Sequence, residues 1–169
     1  MSETVEASKK GIAQPGQYLS FMLQGQSYGV GIGTVREINR VTDVTAVPHT
    51  PPFVAGVMNL RGKVIPVVDL RLKFGLEAVP HTRQTCIIVI EGEFGQVGMI
   101  VDSVNGVIVL SQDQIEPAPV MGNVEDLRFV IGMGKVDSSV LILVDIVNAL
   151  SREQLTGIAK SAEALKVAA

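Results

Sequence analysis

The sequence predicts a mainly β protein that contains two small closed barrels. Short runs of Val and Ile alternate with glycine or proline turns roughly every ten residues, a spacing typical of small barrels. One pattern of residues also occurs twice along the chain, and internal repetition predicts repeated structure. A barrel of roughly sixty residues is marginally stable alone, so we expect the two copies to pack against each other. The groove between them is the predicted binding place.

Three pairs of matched segments define the duplication. They are Phe53–Val57 with Phe129–Met133 and Val67–Leu70 with Leu143–Ile146, both at an offset of 76 residues (145 − 69), and Val30–Ile32 with Val97–Met99 at an offset of 67 (97 − 30). The second copy therefore has nine extra residues (76 − 67), which lie between residues 102 and 129. The repeat predicts one barrel from residues 18–75 and another from 85–150. The first and last segments have no fixed partner in the sequence, which allows an exchange of strands at the ends.

The first copy begins with a predicted hairpin. Tyr18–Leu23 and Tyr28–Ile32 favour strands, and Gln24–Ser27 supplies the turn between them. Phe53–Val57 is predicted to form one helical turn before the next strand. That strand is Val64–Val68, because its β-branched residues are stiff in a helix and suit a pleated surface.

One residue within that strand and one just after it carry further predictions. Pro66 has no N–H to give to a central ladder, which predicts that it lies at an edge or a bulge. Asp69 is expected to cap a short helix that ends at Gly75.

The second copy is also predicted to be made of strands. Cys86–Ile90, Gln96–Val101 and Val107–Leu110 continue the sheet, and Asn105–Gly106 forms a turn before the last of these. Val140–Val144 is expected to be the final core strand.

Both ends of the chain are predicted to lie outside the barrels. Residues 1–16 are small and polar, which predicts a disordered tail. Ser151 and Gln154 resemble a capping box, so a C-terminal helix and tail are expected in residues 151–169.

The composition excludes several classes of function. The net charge is −3 and no basic run occurs, so binding to nucleic acid is not expected. No apolar run approaches the roughly 18 residues that cross a bilayer, and Cys86 is the one cysteine, which fits a reducing cytoplasm. Apolar residues make up 47% of the chain, and the mean hydropathy of +0.36 suggests that some apolar surface contacts a partner.

No motif predicts catalysis, a metal or a cofactor. Asp69 and Asp145 are equivalent in the repeat and so suggest an aspartic protease, but the small hydroxyl residue and glycine of that active turn do not follow either one. A helix cap explains each carboxylate better. His49 and His81 have no second ligand at metal spacing, and Cys86 opens an apolar strand as an inert thiol. An assay of Asp69→Asn would separate the enzymatic from the structural interpretation.

Five segments resemble the CheW family of bacterial chemotaxis coupling proteins. They are Asn59–Arg71, Val35–Ile38, Val97–Asp102, Gln114–Pro119 and Leu141–Asp145. The resemblance covers residues 17–155 and implies two SH3-like five-stranded β-barrels. It also implies a cytoplasmic adaptor without catalysis, monomeric alone, which joins the regulatory domain of the histidine kinase CheA to the cytoplasmic tips of methyl-accepting chemoreceptors in arrays at the inner membrane. Two alternatives remain: a coupling protein of another chemosensory pathway, such as twitching motility or surface sensing, and a half that has lost a receiver domain.

The resemblance also implies a receptor-binding site, whereas it identifies no kinase-contact residue. A receptor helix would lie in the groove between the barrels. The implied lining is Ile32, Val35, Glu37, Arg61, Gly98, Val104 and Val107. Glu37 and Arg61 are expected to pair with each other. The sequence alone leaves open that Arg61 is an ordinary solvated turn residue.

Overall fold

The computed structural model describes residues 13–41, 43–92, 95–117 and 130–146 of the chain. The strands are β1 (Gly16–Leu23), β2 (Gln26–Gly31), β3 (Val35–Arg40), β4 (Val54–Leu60), β5 (Lys63–Asp69), β6 (Cys86–Gly92), β7 (Gly95–Val101), β8 (Ser103–Leu110), β9 (Ile115–Glu116), β10 (Val130–Val136) and β11 (Ser139–Val144). The short helix α1 spans Leu70–Lys73, and single 3-10 turns span Ile32–Thr34 and Gln112–Gln114. The predicted mainly β class is confirmed. Among the described residues, no helix has the length and apolar character needed to cross a membrane.

The strands form two sheets, and each sheet takes strands from both halves of the chain. The six-stranded sheet has the order β8-β1-β2-β11-β10-β9, and the five-stranded sheet has the order β3-β6-β7-β5-β4. The β1–β2 hairpin thus lies beside strands of the second half, and the β6–β7 hairpin beside strands of the first. We call this arrangement the hairpin exchange. It divides the chain differently from the predicted barrels at 18–75 and 85–150.

Two parallel strand pairs hold the exchanged hairpins in place. Val67–Asp69 of β5 pairs with Gly98–Ile100 of β7, and Tyr28–Val30 of β2 pairs with Ile142–Val144 of β11. Strands in such interior positions are covered on both faces and need not alternate apolar and polar residues. The apolar runs of this chain therefore fit the hairpin exchange as well as they fit two barrels that each use only neighbouring strands.

The duplication is visible in the β4–β5 and β10–β11 hairpins. Their strands begin and pair at positions 76 residues apart. A bulge interrupts both at equivalent places, between Val54 and Gly56 and between Val130 and Gly132. The repeated sequence therefore encodes a repeated irregularity as well as a repeated strand pair.

The prediction of a helical turn at Phe53–Val57 is wrong, because these residues lead into and begin β4. Thr45 and Val57 exchange two backbone hydrogen bonds of 2.8 Å, and β5 pairs on the other side. Gly56 has a φ of +144°, and a Cβ there would come within 2.0 Å of the Thr45 carbonyl oxygen. The close approach of Thr45 thus requires glycine in the bulge.

Pro66 lies on an interior strand and outside the bulge of its hairpin, so the prediction of an edge or bulge position is wrong. It pairs with Val57, whose backbone groups are already bonded to Thr45. This is therefore a non-hydrogen-bonded pair. Parallel pairing with β7 begins only at Val67, so the missing N–H of Pro66 falls just before that ladder.

The predicted turn at Asn105–Gly106 is a bulge within β8. Ser20 pairs with Gly106 and Phe21 pairs with Val104, which leaves Asn105 as the extra residue. Its side-chain Nδ2 donates a hydrogen bond of 3.2 Å to Ser20 Oγ. Asn and Gly favour both tight turns and bulges, so the dipeptide alone could not decide between them.

The predicted cap of the short helix is confirmed. Asp69 Oδ1 accepts a hydrogen bond of 3.0 Å from the Arg71 N–H, and Gly75 follows the helix with a φ of +80°.

Cys86 is half-buried rather than fully buried, and its Sγ donates to the Gln84 carbonyl at 3.2 Å.

Part of the predicted N-terminal tail belongs to the fold. Ala13 is buried, and its N–H donates to the Ile131 carbonyl at 3.0 Å. Gly16 already begins β1. The remaining tail, residues 1–12, and the predicted C-terminal helix, residues 151–169, lie outside the described residues.

The main core lies between the two sheets. This central core includes Leu19, Phe21 and Val30 from the six-stranded sheet and Val68, Ile88, Val97 and Met99 from the five-stranded sheet. Burial of each such side chain stabilises the fold by about 1.5–3 kcal/mol. Smaller clusters form around Ile87 and Val89 in one sheet and around Leu141 and Leu143 in the other.

Each sheet also brings its two ends together. In the five-stranded sheet, Glu37 of the outer strand β3 contacts Arg61, which follows the outer strand β4. In the six-stranded sheet, a Cβ on Gly134 of β10, the strand next to the two-residue outer strand β9, would lie 2.7 Å from Leu110 Cδ1 of the outer strand β8. These contacts between the ends of each sheet indicate that it curls into a small barrel.

Candidate partner-binding site

The predicted pair of Glu37 and Arg61 is present in the structure. Arg61 Nη1 lies 3.0 Å from Glu37 Oε2, and the two side chains are 80% and 19% exposed. The pair spans the seam of the five-stranded sheet, since β3 and β4 are its outer strands. A mostly buried carboxylate thus holds one side of a guanidinium whose other sides face solvent.

The alternation of β3 explains why Glu37 is only slightly exposed. Val35, Glu37 and Asn39 are half-buried, whereas Arg36, Ile38 and Arg40 are exposed. On the half-buried side, Asn39 Nδ2 donates a hydrogen bond of 2.8 Å to Glu37 Oε1. The two oxygens of Glu37 therefore have different partners.

The turn after β4 fixes the backbone of Arg61. This residue has a positive φ of 53°, which is uncommon for a long side chain. Asn59 Oδ1 accepts a hydrogen bond of 3.0 Å from the N–H of Gly62 and so closes the turn. Asp137 in the equivalent turn between β10 and β11 has a φ of 54°, so this conformation follows from the two-residue hairpin turn.

Three of the predicted apolar residues face the central core. Ile32, Val35 and Val104 are each half-buried and pack against the central core. We call these three residues the apolar rim. A bulge in β3 separates Val35 from Glu37. Val35 pairs with Ile90 and Glu37 with Val89, and because these two neighbours point to opposite faces of the sheet, Val35 faces the central core and Glu37 the other face. Ile32 stands in the 3-10 turn just before this strand. Val35 and the ion pair therefore adjoin the edge strand β3 from opposite faces of the sheet.

The structure places Val107 apart from the rim. Its side chain is 52% exposed on the outer face of β8, beside Val109, which is 67% exposed. Val104 lies beyond the bulge at Asn105 and points into the fold. Val104 and Val107 therefore do not line the same surface, although both belong to one strand.

Gly98 lies in the interior and not on a groove. It is buried in β7, paired with both Val67 and Val89. A Cβ at this position would lie 2.8 Å from Ile87 Cγ2 and 3.7 Å from Val67 Cγ2. The prediction that a side chain here would face a partner is wrong, because this side of β7 faces the core of the five-stranded sheet.

The sequence-based prediction missed a second ion pair, between Arg71 and Asp102. Arg71 Nε and Nη2 donate to the two carboxylate oxygens at 2.7 and 2.6 Å, and the Gln24 N–H donates to Oδ2 at 2.9 Å. The hydrogen bonds from Arg71 lower the pKa of Asp102 in spite of its partial burial, and the Gln24 N–H adds to this effect. Both residues belong to segments that resemble the family, but they are far apart in the sequence, so no local pattern predicts that positions 71 and 102 form a pair.

The described residues include no group of three or more His, Cys, Asp or Glu that could hold a metal ion. Asp69 is used as a helix cap. The chemistry that the described residues offer is thus recognition by an oriented cation at the seam of the five-stranded sheet.

Comparison with known proteins identifies the family of the chain. A model of the CheW-like domain matches residues 17–154. The chemotaxis protein CheW of Klebsiella aerogenes is 40% identical over 141 residues, which cover 82% of this chain and 84% of that protein. Protein PilI of Pseudomonas aeruginosa is 32% identical over 88 residues, which cover 52% of this chain and 49% of that protein.

A solved structure has the same architecture. The crystal structure of the scaffolding protein TtCheW from Thermoanaerobacter tengcongensis superposes with a TM-score of 0.71 at 34% identity, and covers 78% of this chain and 90% of that chain. The family model, the relatives and this fold agree, and the chain therefore belongs to the CheW family of chemotaxis scaffolding proteins.

Proposed function

We propose that this protein is a cytoplasmic, non-catalytic adaptor that couples the cytoplasmic tips of chemoreceptors to a CheA-type histidine kinase. The observation that carries the proposal is the Glu37–Arg61 pair at the edge strand β3, which also holds Val35 of the apolar rim. An amphipathic receptor helix offers apolar residues on one face and polar residues at its margins. The apolar rim would accept the apolar face of this helix, and the Arg61 guanidinium would bind a polar residue at its margin.

The energetics of the pair support a role in recognition. An ion pair whose cation is 80% exposed contributes only about 0–1 kcal/mol to stability, so stability alone gives little reason for an arginine at this turn. A fixed guanidinium offers several N–H donors in one plane and can orient a partner better than a mobile cation. Arg61 therefore serves binding more than folding.

The kinase is the second proposed partner, through its regulatory domain. Family resemblance implies that this domain has the same two-barrel architecture. Both sheets of the adaptor share an equivalent strand order, and such pseudo-equivalent surfaces suit alternating assembly with a similar domain. We assign no kinase-contact residue. In this proposal the free adaptor is a monomer that joins receptor arrays at the inner membrane.

A second candidate is the same adaptor role in a non-flagellar chemosensory pathway, such as twitching motility or surface sensing. The likeness to PilI favours this candidate, although it covers only about half of each chain. The fold and the site serve both pathways equally, so partner identity must decide between them.

Co-purification from the native cytoplasm tests the proposal. The tagged full chain is expected to retain a CheA-type kinase and chemoreceptors, whose identity distinguishes the two pathways. Arg61→Ala should lose the receptors. Asp137→Ala is the matched control, because Asp137 occupies the equivalent turn between β10 and β11. Absence of both kinase and receptors with the wild-type chain would refute the coupling role.

A further inference from the structure

Asn39 makes a contact that the proposed function does not explain. Its Nδ2 donates to Glu37 Oε1 at 2.8 Å, while Glu37 Oε2 faces Arg61 Nη1 at 3.0 Å. The terminal torsion of a glutamate has a broad energy profile, so a free carboxylate rotates readily. The Asn39 amide fixes the carboxylate plane, and this plane in turn directs the guanidinium.

Arg61 needs such a second anchor because so much of its side chain is exposed. Within the described part of the chain, the guanidinium contacts the Glu37 carboxylate through Nη1 and has no other acidic partner. Arginine carries five N–H donors, so most of them remain for a partner. One exposed ion pair restrains a long side chain weakly. A carboxylate already fixed on its far side restrains it better.

We propose that Asn39 is a positioning residue for partner binding: it orients the Glu37 carboxylate so that Arg61 presents its free N–H groups to an acceptor on the partner helix. This inference rests on the proposed function of Arg61. It adds a third member to the pair, located two residues along the same strand and on the same half-buried side as Glu37.

In this proposal Asn39 affects the partner only through Glu37 and Arg61. Asn39 acts on Glu37 alone, and Glu37 acts on Arg61. Removal of the amide donor should therefore matter only while Arg61 is present. A role of Asn39 in stability alone would instead weaken binding to the same degree with and without Arg61.

A double-mutant cycle on the full chain tests this dependence. The probe is a purified cytoplasmic fragment of a chemoreceptor from the same organism, and the variants are Asn39→Leu, Arg61→Ala and the double variant. Leu keeps the size of Asn but has no donor. We expect Asn39→Leu to weaken binding about fivefold in the wild-type background and less than about twofold in the Arg61→Ala background. Equal losses in both backgrounds, or no loss in either, would overturn the proposal.

A matched control excludes a general effect of changing β3. Arg36 lies on the same strand and pairs with Glu91 at 2.6 Å, with both side chains well exposed. Arg36→Ala is expected to leave receptor binding within about twofold of wild type. A loss as large as that of Asn39→Leu would assign the effect to the strand and would contradict a specific role of Asn39.

A second measurement needs no partner. Nuclear magnetic resonance of the Arg61 side-chain Nε–H group reports how far the guanidinium is restrained in the free protein. Its order parameter should fall in Asn39→Leu and stay unchanged in Arg36→Ala. An unchanged Arg61 signal in Asn39→Leu would refute the positioning role. If the wild-type chain fails to bind the receptor fragment, the proposed function fails, whereas this signal still decides the role of Asn39.

Discussion

Arg61 and Asp137 occupy the same position in two copies of one hairpin. They stand 76 residues apart (137 − 61), and their φ angles are 53° and 54°. The duplication thus preserved a left-handed turn residue while its charge changed from positive to negative. Arg61 has its carboxylate partner on β3, so the two barrels share a fold but differ in the charge that they present at this turn.

Arg61→Ala should separate binding from stability. Arg61 is 80% exposed and Glu37 keeps its hydrogen bond from Asn39, so the change is expected to lower the free energy of unfolding by less than about 1 kcal/mol. Binding of a chemoreceptor fragment should weaken at least about tenfold, which corresponds to about 1.4 kcal/mol. Calorimetric titration and urea unfolding measure the two effects. Asp137→Ala makes the same backbone change in the other turn and should leave binding intact; a large loss of stability in Arg61→Ala would instead favour a structural role.

An exchange of charges tests whether mutual orientation matters. Glu37→Arg and Arg61→Glu should each be defective, because each leaves two like charges facing at the seam. The double variant restores the attraction and should recover part of the binding. Recovery should be incomplete, because Asn39 donates a hydrogen bond to position 37 and an arginine cannot accept it. Purely additive losses in the cycle would show that the two residues act independently.

Gly98→Ala is expected to destabilise the protein without a direct effect on binding. The new methyl group would lie 2.8 Å from Ile87 Cγ2 in a buried cluster, and such overpacking costs about 1–3 kcal/mol. The variant should show a lowered melting temperature, with normal affinity in the folded fraction. The cost should shrink when Ile87→Ala provides space. A folded Gly98→Ala variant of normal stability that fails to bind receptor would place this position at the interface after all.

Asp102 should make stability depend on pH. Its pKa in the folded state lies below the unfolded value, chiefly because Arg71 donates two hydrogen bonds to it. The pair therefore stabilises the fold fully above the unfolded pKa of about 3.9, and this contribution disappears as pH falls through the lower folded pKa. Unfolding experiments should show that Asp102→Asn is less stable than wild type at pH 7 and that the difference shrinks toward pH 3. A difference that stays constant over this range would contradict the assignment.

Local features of the fold could be predicted where the chemistry is local. The cap at Asp69 depends on residues within one turn, and the repeated hairpin follows from an offset that the sequence displays. The Glu37–Arg61 pair came from family resemblance, because 24 residues (61 − 37), including the whole of β4, separate its members.

The predictions that were wrong concern features that local sequence does not determine. Gly98 carries no side chain whose polarity could show which face it occupies, so its strand gave no indication that this position faces the core. Asn105–Gly106 suits a turn and a bulge equally, and only the pairing with Ser20 decides. The contact from Asn39 to Glu37 was visible in principle as two polar residues alternating on one strand, yet a carboxamide at an edge strand is usually solvated.

The hairpin exchange has a consequence for how the chain reaches its fold. Tyr28 finds its strand partner at Ile142, 114 residues later (142 − 28), so the six-stranded barrel cannot close until nearly the whole described chain has been synthesised. Domains often fold in order as they leave the ribosome, but here the first hairpin must wait for the last. Such distant pairings slow folding and prolong exposure of unpaired strand edges. The nascent adaptor should therefore depend on chaperones more than its modest length suggests.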